Sequence, residues 1–375
     1  MPQKKNNSNR VAGKPHIAKP KQTRFFEEQL RGEEGLTFKT AGVLFDLACE
    51  LCHVKPWQTM GDTDLVVVKD AKSREMCYCG VLGALGKSFA IHAYRGMEGY
   101  RLFKKISSGA PMSVGEFLAS QSTVTMEIVP IGELEAPDRE LAQAFGHPLK
   151  KGYVAPQFRA GRPGYRPWYP TESEGKILAT CVESVLAFCE HRESEPESQY
   201  WAHEDVYPRV FWKNSETYWV ENVLVRAEAA SALEPALLDQ ERLAKLIKND
   251  FPVRGIIELD EFYSGIPVGQ ENERKACLRF VLAADAEVQF LYSSEAFTAA
   301  DAKGAILAEG VLKTMEQHKF MPAEIRVRDE ISQRLLLPLQ TRLGFELRVA
   351  SELPSLDLAK KHLLEHVGDP GQITD

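Results

Sequence analysis

The sequence predicts an α/β protein, with an α+β module in its N-terminal part and a mixed-sheet layer at its C-terminal end. Three observations carry this reading. Residues 278–285 and 287–297 are extended apolar segments around a turn at 284–287, which is the pattern of a β-hairpin. Residues 299–319 have the length and alanine content of a helix, and residues 324–329 form another strand-like run. A helix over 330–343, a strand over 345–350 and a helix over 356–367 complete the order hairpin, helix, strand, helix, strand, helix. That order suits a layer in which crossover helices cover a mixed sheet.

Taken in order, ordered structure is expected from about Phe25. Leu44, Leu47, Ala48 and Leu51 fall on one face of a helix over 40–54, which Pro56 stops. Strands over 64–69, 75–81 and 88–94, joined by short connectors, predict an antiparallel meander. Helices over 96–107 and 113–120 and a fourth strand over 124–129 follow. Residues 147–170 hold five prolines. Because proline fixes φ and removes amide donors, they read as an extended connector and not as a strand of a sheet interior. Thr171 precedes Glu174 with capping-box spacing, and Ile177, Cys181, Val185 and Phe188 form the buried stripe of the helix that follows. A hairpin over 207–212 and 217–225, a helix over 237–248 and a strand over 254–262 lead into the C-terminal layer. The expected divisions are an arm (1–24), an N-terminal domain (25–146), the connector (147–170), a helical and hairpin middle (171–250), a C-terminal domain (251–367) and a tail (368–375).

With 375 residues, 44% of them apolar, the chain suits two or three domains with ample cores. No run approaches the roughly 18 uncharged apolar residues of a membrane span, and no signal-peptide core is visible, so a cytoplasmic protein is expected. Seven irregularly spaced cysteines argue against a secreted disulfide framework. The formal charge of −7 is unevenly spread. Residues 1–24 carry seven cations, among them Lys4, Lys5, Arg10 and Lys14, and no acid, leaving 39 basic against 53 acidic residues in the body. The arm reads as disordered. It can bind phosphate backbones through charge alone, or rest as a solvated tail on the acidic body.

Cys49 and Cys52, with Cys77 and Cys79, have the types of a zinc site. The first pair lies inside an amphipathic helix and the second on one strand face, so core packing explains both and no metal is expected. Gly80, Gly83 and Gly86 precede Lys87-Ser88, but the run enters a strand where a phosphate loop would open a helix, so they read as turn glycines. Arg162 and Arg166 beside Trp168 combine cations with a stacking ring, which suits single-stranded nucleic acid or a protein partner. The alternative is an aromatic anchor over the next helix.

The C-terminal order is similar to that of ribonuclease H-like domains. On that resemblance, Asp285 and Asp329 at strand ends, with Asp357 or Glu365 on the last helix, would hold two magnesium ions for phosphodiester hydrolysis. Asp285 lies at a turn, however, and Asp329 and Asp357 stand where helix N-caps belong. Helical rise also separates Asp357 from Glu365 by about 12 Å, so at most one can serve.

Two longer stretches carry a further resemblance. Trp57, Asp62-Thr63-Asp64-Leu65, Tyr78-Cys79-Gly80-Val81-Leu82-Gly83, Tyr94-Arg95-Gly96-Met97-Glu98-Gly99 and Pro163-Gly164-Tyr165-Arg166-Pro167-Trp168 resemble the domain-of-unknown-function family 7309. Pro322-Ala323-Glu324-Ile325-Arg326-Val327-Arg328-Asp329 and Glu352-Leu353-Pro354-Ser355-Leu356-Asp357 resemble family 6930. The resemblance implies a bacterial protein and brings no activity, cofactor or catalytic residue. The expectation is a non-catalytic binding or regulatory protein with nucleic acid or another protein as partner. A magnesium-dependent nuclease and a purely structural interaction module are the alternatives.

Overall fold

The computed structural model describes residues 24–69, 75–86, 88–214, 217–226, 239–298 and 302–367. The arm residues Lys4, Lys5, Arg10 and Lys14 lie outside the described residues. In chain order the N-terminal part contains β1 (Arg24–Phe25), α1 (Glu27–Leu30), β2 (Leu36–Thr37), α2 (Phe38–Val54), β3 (Leu65–Lys69), β4 (Met76–Leu82), β5 (Phe89–Arg95), α3 (Gly96–Ser107), α4 (Val114–Ser120), β6 (Thr123–Pro130), α5 (Ala136–Ala144), β7 (Val154–Gly161), α6 (Glu172–Ser194), β8 (Val206–Trp212) and β9 (Tyr218–Leu224). The C-terminal part contains α7 (Gln240–Lys248), β10 (Ile256–Val268), β11 (Ala276–Asp285), β12 (Leu291–Phe297), α8 (Lys303–His318), β13 (Glu324–Val327), α9 (Glu330–Leu343), β14 (Glu346–Val349) and α10 (Pro354–Val367). The chain is an α/β protein. No helix among the described residues is long and apolar enough to cross a membrane.

The N-terminal sheet has seven strands in the order β7-β6-β5-β4-β3-β8-β9. The meander β3-β4-β5 forms as expected because short turns pair consecutive strands antiparallel. Ile91, Met126 and Phe158 alternate onto one face and bury themselves under α2 and α6. Tyr78, Tyr94 and Leu65 take the other face under Tyr100 and Phe103 of α3. The α6 helix starts where the sequence places it. The Thr171 hydroxyl accepts from the Glu174 amide, and Glu174 returns a bond from the Thr171 amide.

The proline-rich segment differs from expectation. Residues 154–161 are a strand, β7, hydrogen-bonded to β6 along its whole length. The prolines do not prevent this because β7 is the outermost strand, where only one side needs donors. One sheet therefore runs across the divisions drawn at 147 and 171, and takes in the β8-β9 hairpin as well.

The C-terminal sheet has the order β12-β11-β10-β13-β14. β11 is antiparallel to β10 and to β12, whereas β13 pairs parallel with β10 and with β14. The C-terminal strand-like runs share this one sheet. The second hairpin strand occupies 291–297, starting later than the 287 expected from the sequence. The turn is longer than a four-residue one because the Asp285 carboxylate accepts from the amides of Glu287 and Val288, and the Asp285 amide donates to Phe290 O. Ile257, Leu259, Val281 and Ala283 pack on one face with Leu307, Val311 and Leu336. Phe262, Leu282 and Ala284 pack on the other with Leu353 and Leu356 of α10.

β10 and β11 outrun their neighbours, and β13 reaches only as far as Leu259. The far end of the hairpin meets the N-terminal part. Tyr165 bridges Ala276, the Arg166 amide donates to Lys275 O at 2.9 Å, and the Cys277 amide donates to Gly164 O at 2.8 Å. Arg274, only 7% exposed, reaches across to Ala160 O, Tyr169 O and the Glu174 carboxylate at 2.9, 3.2 and 3.4 Å. At Gly115 of α4 a Cβ would lie 2.2 Å from Tyr263 O, so the backbones touch and only glycine fits without a shift.

Candidate carboxylate site

Adjacent strand residues point to opposite faces, and this decides where the C-terminal acids go. On β10, Glu258 and Asp260 take the α10 face, and Glu261 takes the face covered by α8. All three are largely buried. Glu258 accepts from the Leu356 amide at 3.0 Å, satisfying a buried donor at the start of α10 that has no partner within the helix. Burial pushes its carboxyl up. Asp260 is also pushed up by burial, against the pull of Arg328.

Each face then forms its own ion network. On the α10 face the Arg328 guanidinium lies between two acids, with Nε 2.8 Å from Asp260 and Nη2 2.6 Å from Asp357. On the other face Lys303 lies between Glu261 and Asp329, at 3.2 and 3.4 Å, and Arg279 also donates to Glu261. Burial opposes charge on Glu261, but Arg279 and Lys303 outweigh it and hold the carboxyl below its usual range. Burial likewise opposes charge on Asp329. Lys303 and the Ser332 amide, which Asp329 caps at 2.6 Å, lower it overall.

The four candidate acids do not converge. Asp329 and Asp357 serve networks on opposite faces of the sheet. Asp285 pairs with Ile257 at the start of β10, whereas Asp329 is level with Glu261, four strand residues or about 13 Å further along. The Asp285 carboxylate is used by the turn amides and by the Tyr292 hydroxyl at 2.6 Å. Burial disfavours its charge, yet these donors leave the carboxyl lowered. Glu365 is exposed, 4.0 Å from Lys361. Among the described residues no group of three or more His, Cys, Asp or Glu side chains is placed to hold a metal ion. The acids that sequence reasoning passed over are Glu258, Asp260 and Glu261. Their signal was an acidic run inside an otherwise apolar strand, a pattern that places charge in a core.

The connector candidates are engaged inside the chain. Arg162 donates to Glu174 at 2.8 Å and also to Glu33. Trp168 Nε1 donates to Gln29 O at 2.7 Å. Arg166 is held through its backbone, its amide donating to Lys275 O at 2.9 Å. Glu174, which accepts from Arg162, also has Arg274 at 3.4 Å and Arg95 at 3.8 Å as neighbours. All seven cysteines are free. Cys77 and Cys79 point into the core, and a hydrogen bond with Cys181, together with burial, drives the Cys77 thiol upward. Gly83 and Gly86 stand at the turn after β4 and line a cavity of about 600 Å³ with Trp57, Met60 and Phe89, whereas Gly80 lies inside β4, paired with Leu65 and His92. At Gly83 φ is 134°, and a Cβ would meet Phe89 at 2.7 Å.

Fold and site together define an α/β protein with two large mixed sheets and a two-stranded one, in which Asp260 and Glu261 are paired with the chain's own cations. Residues 42–209 match the family described as Domain of unknown function (DUF7309), and residues 241–364 match Domain of unknown function (DUF6930). The first match ends inside β8, although the sheet continues to β9. No curated protein matches the chain.

Proposed function

We propose that this chain is a non-catalytic binding protein, built on a ribonuclease H-like C-terminal scaffold, and that a nucleic acid partner is held by its basic arm. The strand order β12-β11-β10-β13-β14, with β11 alone antiparallel to the rest, supports the scaffold reading. The observation that carries the function is the position of Arg328 between Asp260 and Asp357, with Lys303 between Glu261 and Asp329. Two-metal hydrolysis needs free carboxylates that converge on ions about 4 Å apart. Here the acids are split between two faces and each is neutralised. Arg162 and Trp168 are occupied internally, which leaves the arm's cations to supply counterion release.

The test is a cleavage assay on single- and double-stranded DNA and RNA with magnesium or manganese, run beside a binding titration at several salt concentrations. No cleavage is expected. Binding should weaken and lose salt dependence when residues 1–24 are deleted. Cleavage abolished by Asp260→Asn or Asp329→Asn would establish the nuclease reading, and unchanged binding by the truncated chain would remove the arm from it.

A further inference from the structure

Of the five tryptophans in the chain, four donate their indole N–H: Trp168 to Gln29 O, Trp201 to Leu65 O, Trp212 to the Ser184 hydroxyl and Trp219 to the Glu221 carboxylate. Trp57 has no acceptor among the described residues, and it is the tryptophan that lines the cavity of about 600 Å³ beside Gly83 and Gly86. The walls of that cavity are held in place by the chain itself. Pro56 O accepts from the Thr59 and Met60 amides at 3.0 and 2.9 Å, Arg192 donates to Thr59 O at 2.7 Å, and the Asp64 carboxylate accepts from the Gly61 amide at 2.7 Å. The Trp57 and Phe89 rings meet with centroids 4.6 Å apart, and the Gly83 backbone lies close against both residues. A Cβ at Gly86 would meet nothing within 4 Å, so the turn leaves room there.

The lining selects one kind of ligand. No charged side chain among the described residues lines the cavity, so a phosphate or carboxylate inside it would lose water without gaining a counter-charge. Two aromatic rings offer a stacking surface for a flat ligand, and every base has a π-face that can use it. The unused indole N–H calls for an acceptor, and the Gln58 amide, which can both donate and accept, belongs to the same lining. The ring nitrogens, carbonyls and amino groups of a nucleobase supply both kinds of group on a planar, uncharged frame. We propose that this cavity binds a nucleobase, stacked on Trp57 and Phe89 with a ring acceptor bonded to the Trp57 indole N–H. The sugar and any phosphate stay outside in water, so a free nucleoside and a base of a single strand meet the same site.

Calorimetric titration of the full chain with adenosine, guanosine, cytidine and uridine, and with short single strands of each base, tests this. At least one nucleoside should bind saturably, with a dissociation constant of about 0.1 mM, the reach of a ligand of that size. Trp57→Phe keeps a ring and removes the N–H, and should weaken binding about tenfold. Ala84→Trp, at an exposed position of the lining, should fill the cavity and abolish binding with an unchanged thermal melt. Strand affinity that falls in the same two variants would mark a single strand as the source of the base, and strand affinity that does not would mark the free nucleoside. Either result places the base in this cavity. No nucleoside binding at about 1 mM, or binding that either variant leaves unchanged, would overturn the proposal. A nucleoside carries no phosphate and owes nothing to the basic arm, so failure here is distinct from failure of the arm to hold nucleic acid.

Discussion

Two buried carboxylate clusters stand in contrast. Glu174, at the seam, has three arginines from three separate parts of the chain around one carboxylate that is 4% exposed. In the C-terminal sheet the arrangement is inverted. One guanidinium, Arg328, serves two acids, of which Asp357 is half exposed. The first cluster joins the arms of a fold, since Arg162 and Arg274 come from the connector and from the C-terminal hairpin. The second ties β10 to the end of β13 and to α10, through Asp260, Arg328 and Asp357. A buried ion is stabilising only in relation to its partners, so removing the hub and removing a spoke should differ.

Glu174→Gln should have the largest effect, because three cations, among them the 7% exposed Arg274, lose their common counter-charge. A loss of roughly 3–5 kcal/mol is expected, read by denaturant unfolding. A loss under 1 kcal/mol would show that the arginines find other acceptors and that the seam does not depend on this carboxylate.

Arg328→Met should cost less, about 1–3 kcal/mol, since Arg328 is a third exposed and solvent screens its charge. Its pH dependence sharpens the comparison. Asp260 has a raised carboxyl in the fold, so its charged form is disfavoured by folding and protonation favours the native state. Without Arg328 that carboxyl should rise further, and the variant should be more stable near pH 5 than near pH 7. Glu174, Glu261 and Asp329 are lowered in the fold. Their contribution is present above the ordinary carboxylate range and is lost as pH falls through the depressed values. Wild-type stability should therefore fall on acidification below about pH 4, and thermal melts across pH test both signs.

Asp285→Ala removes the acceptor of two turn amides and of the Tyr292 hydroxyl. A loss of about 1–2 kcal/mol is expected, and a loss of 4 kcal/mol or more would mean that the turn organises the sheet. The smallest effect belongs to Glu365→Ala, whose exposed pair with Lys361 should be worth under about 0.5 kcal/mol. A measurable change in cleavage or metal binding in that variant would contradict the placement of Glu365 outside any site.

The family resemblance was legible in Trp57, Tyr78-Cys79-Gly80 and Pro322-Ala323-Glu324, and the matched regions fall at the corresponding ends of the chain. The candidate site was less so. Asp285 and Asp329 end apolar runs, which is a local feature, and both serve local turns and caps. Asp260 and Glu261 stand in an acidic run within an apolar strand, a local signal that charge enters a core, but that run does not say which cation each acid meets. Asp260's partner Arg328 lies 68 residues away in sequence.

Local physics settled much of this protein in advance. The α6 capping box, the Asp329 cap and the short turns of β3-β4-β5 follow from neighbours three or four residues apart, whose geometry the backbone dictates. The tertiary structure decided the rest. It made a proline-rich segment an edge strand by giving it one partner, β6. It set the central position of β10 through pairing with β11 on one side and β13 on the other. Strand alternation then sent Asp260 and Glu261 to opposite faces, where each met the chain's own cations. Those outcomes depend on contacts between residues far apart in sequence, which no local pattern encodes.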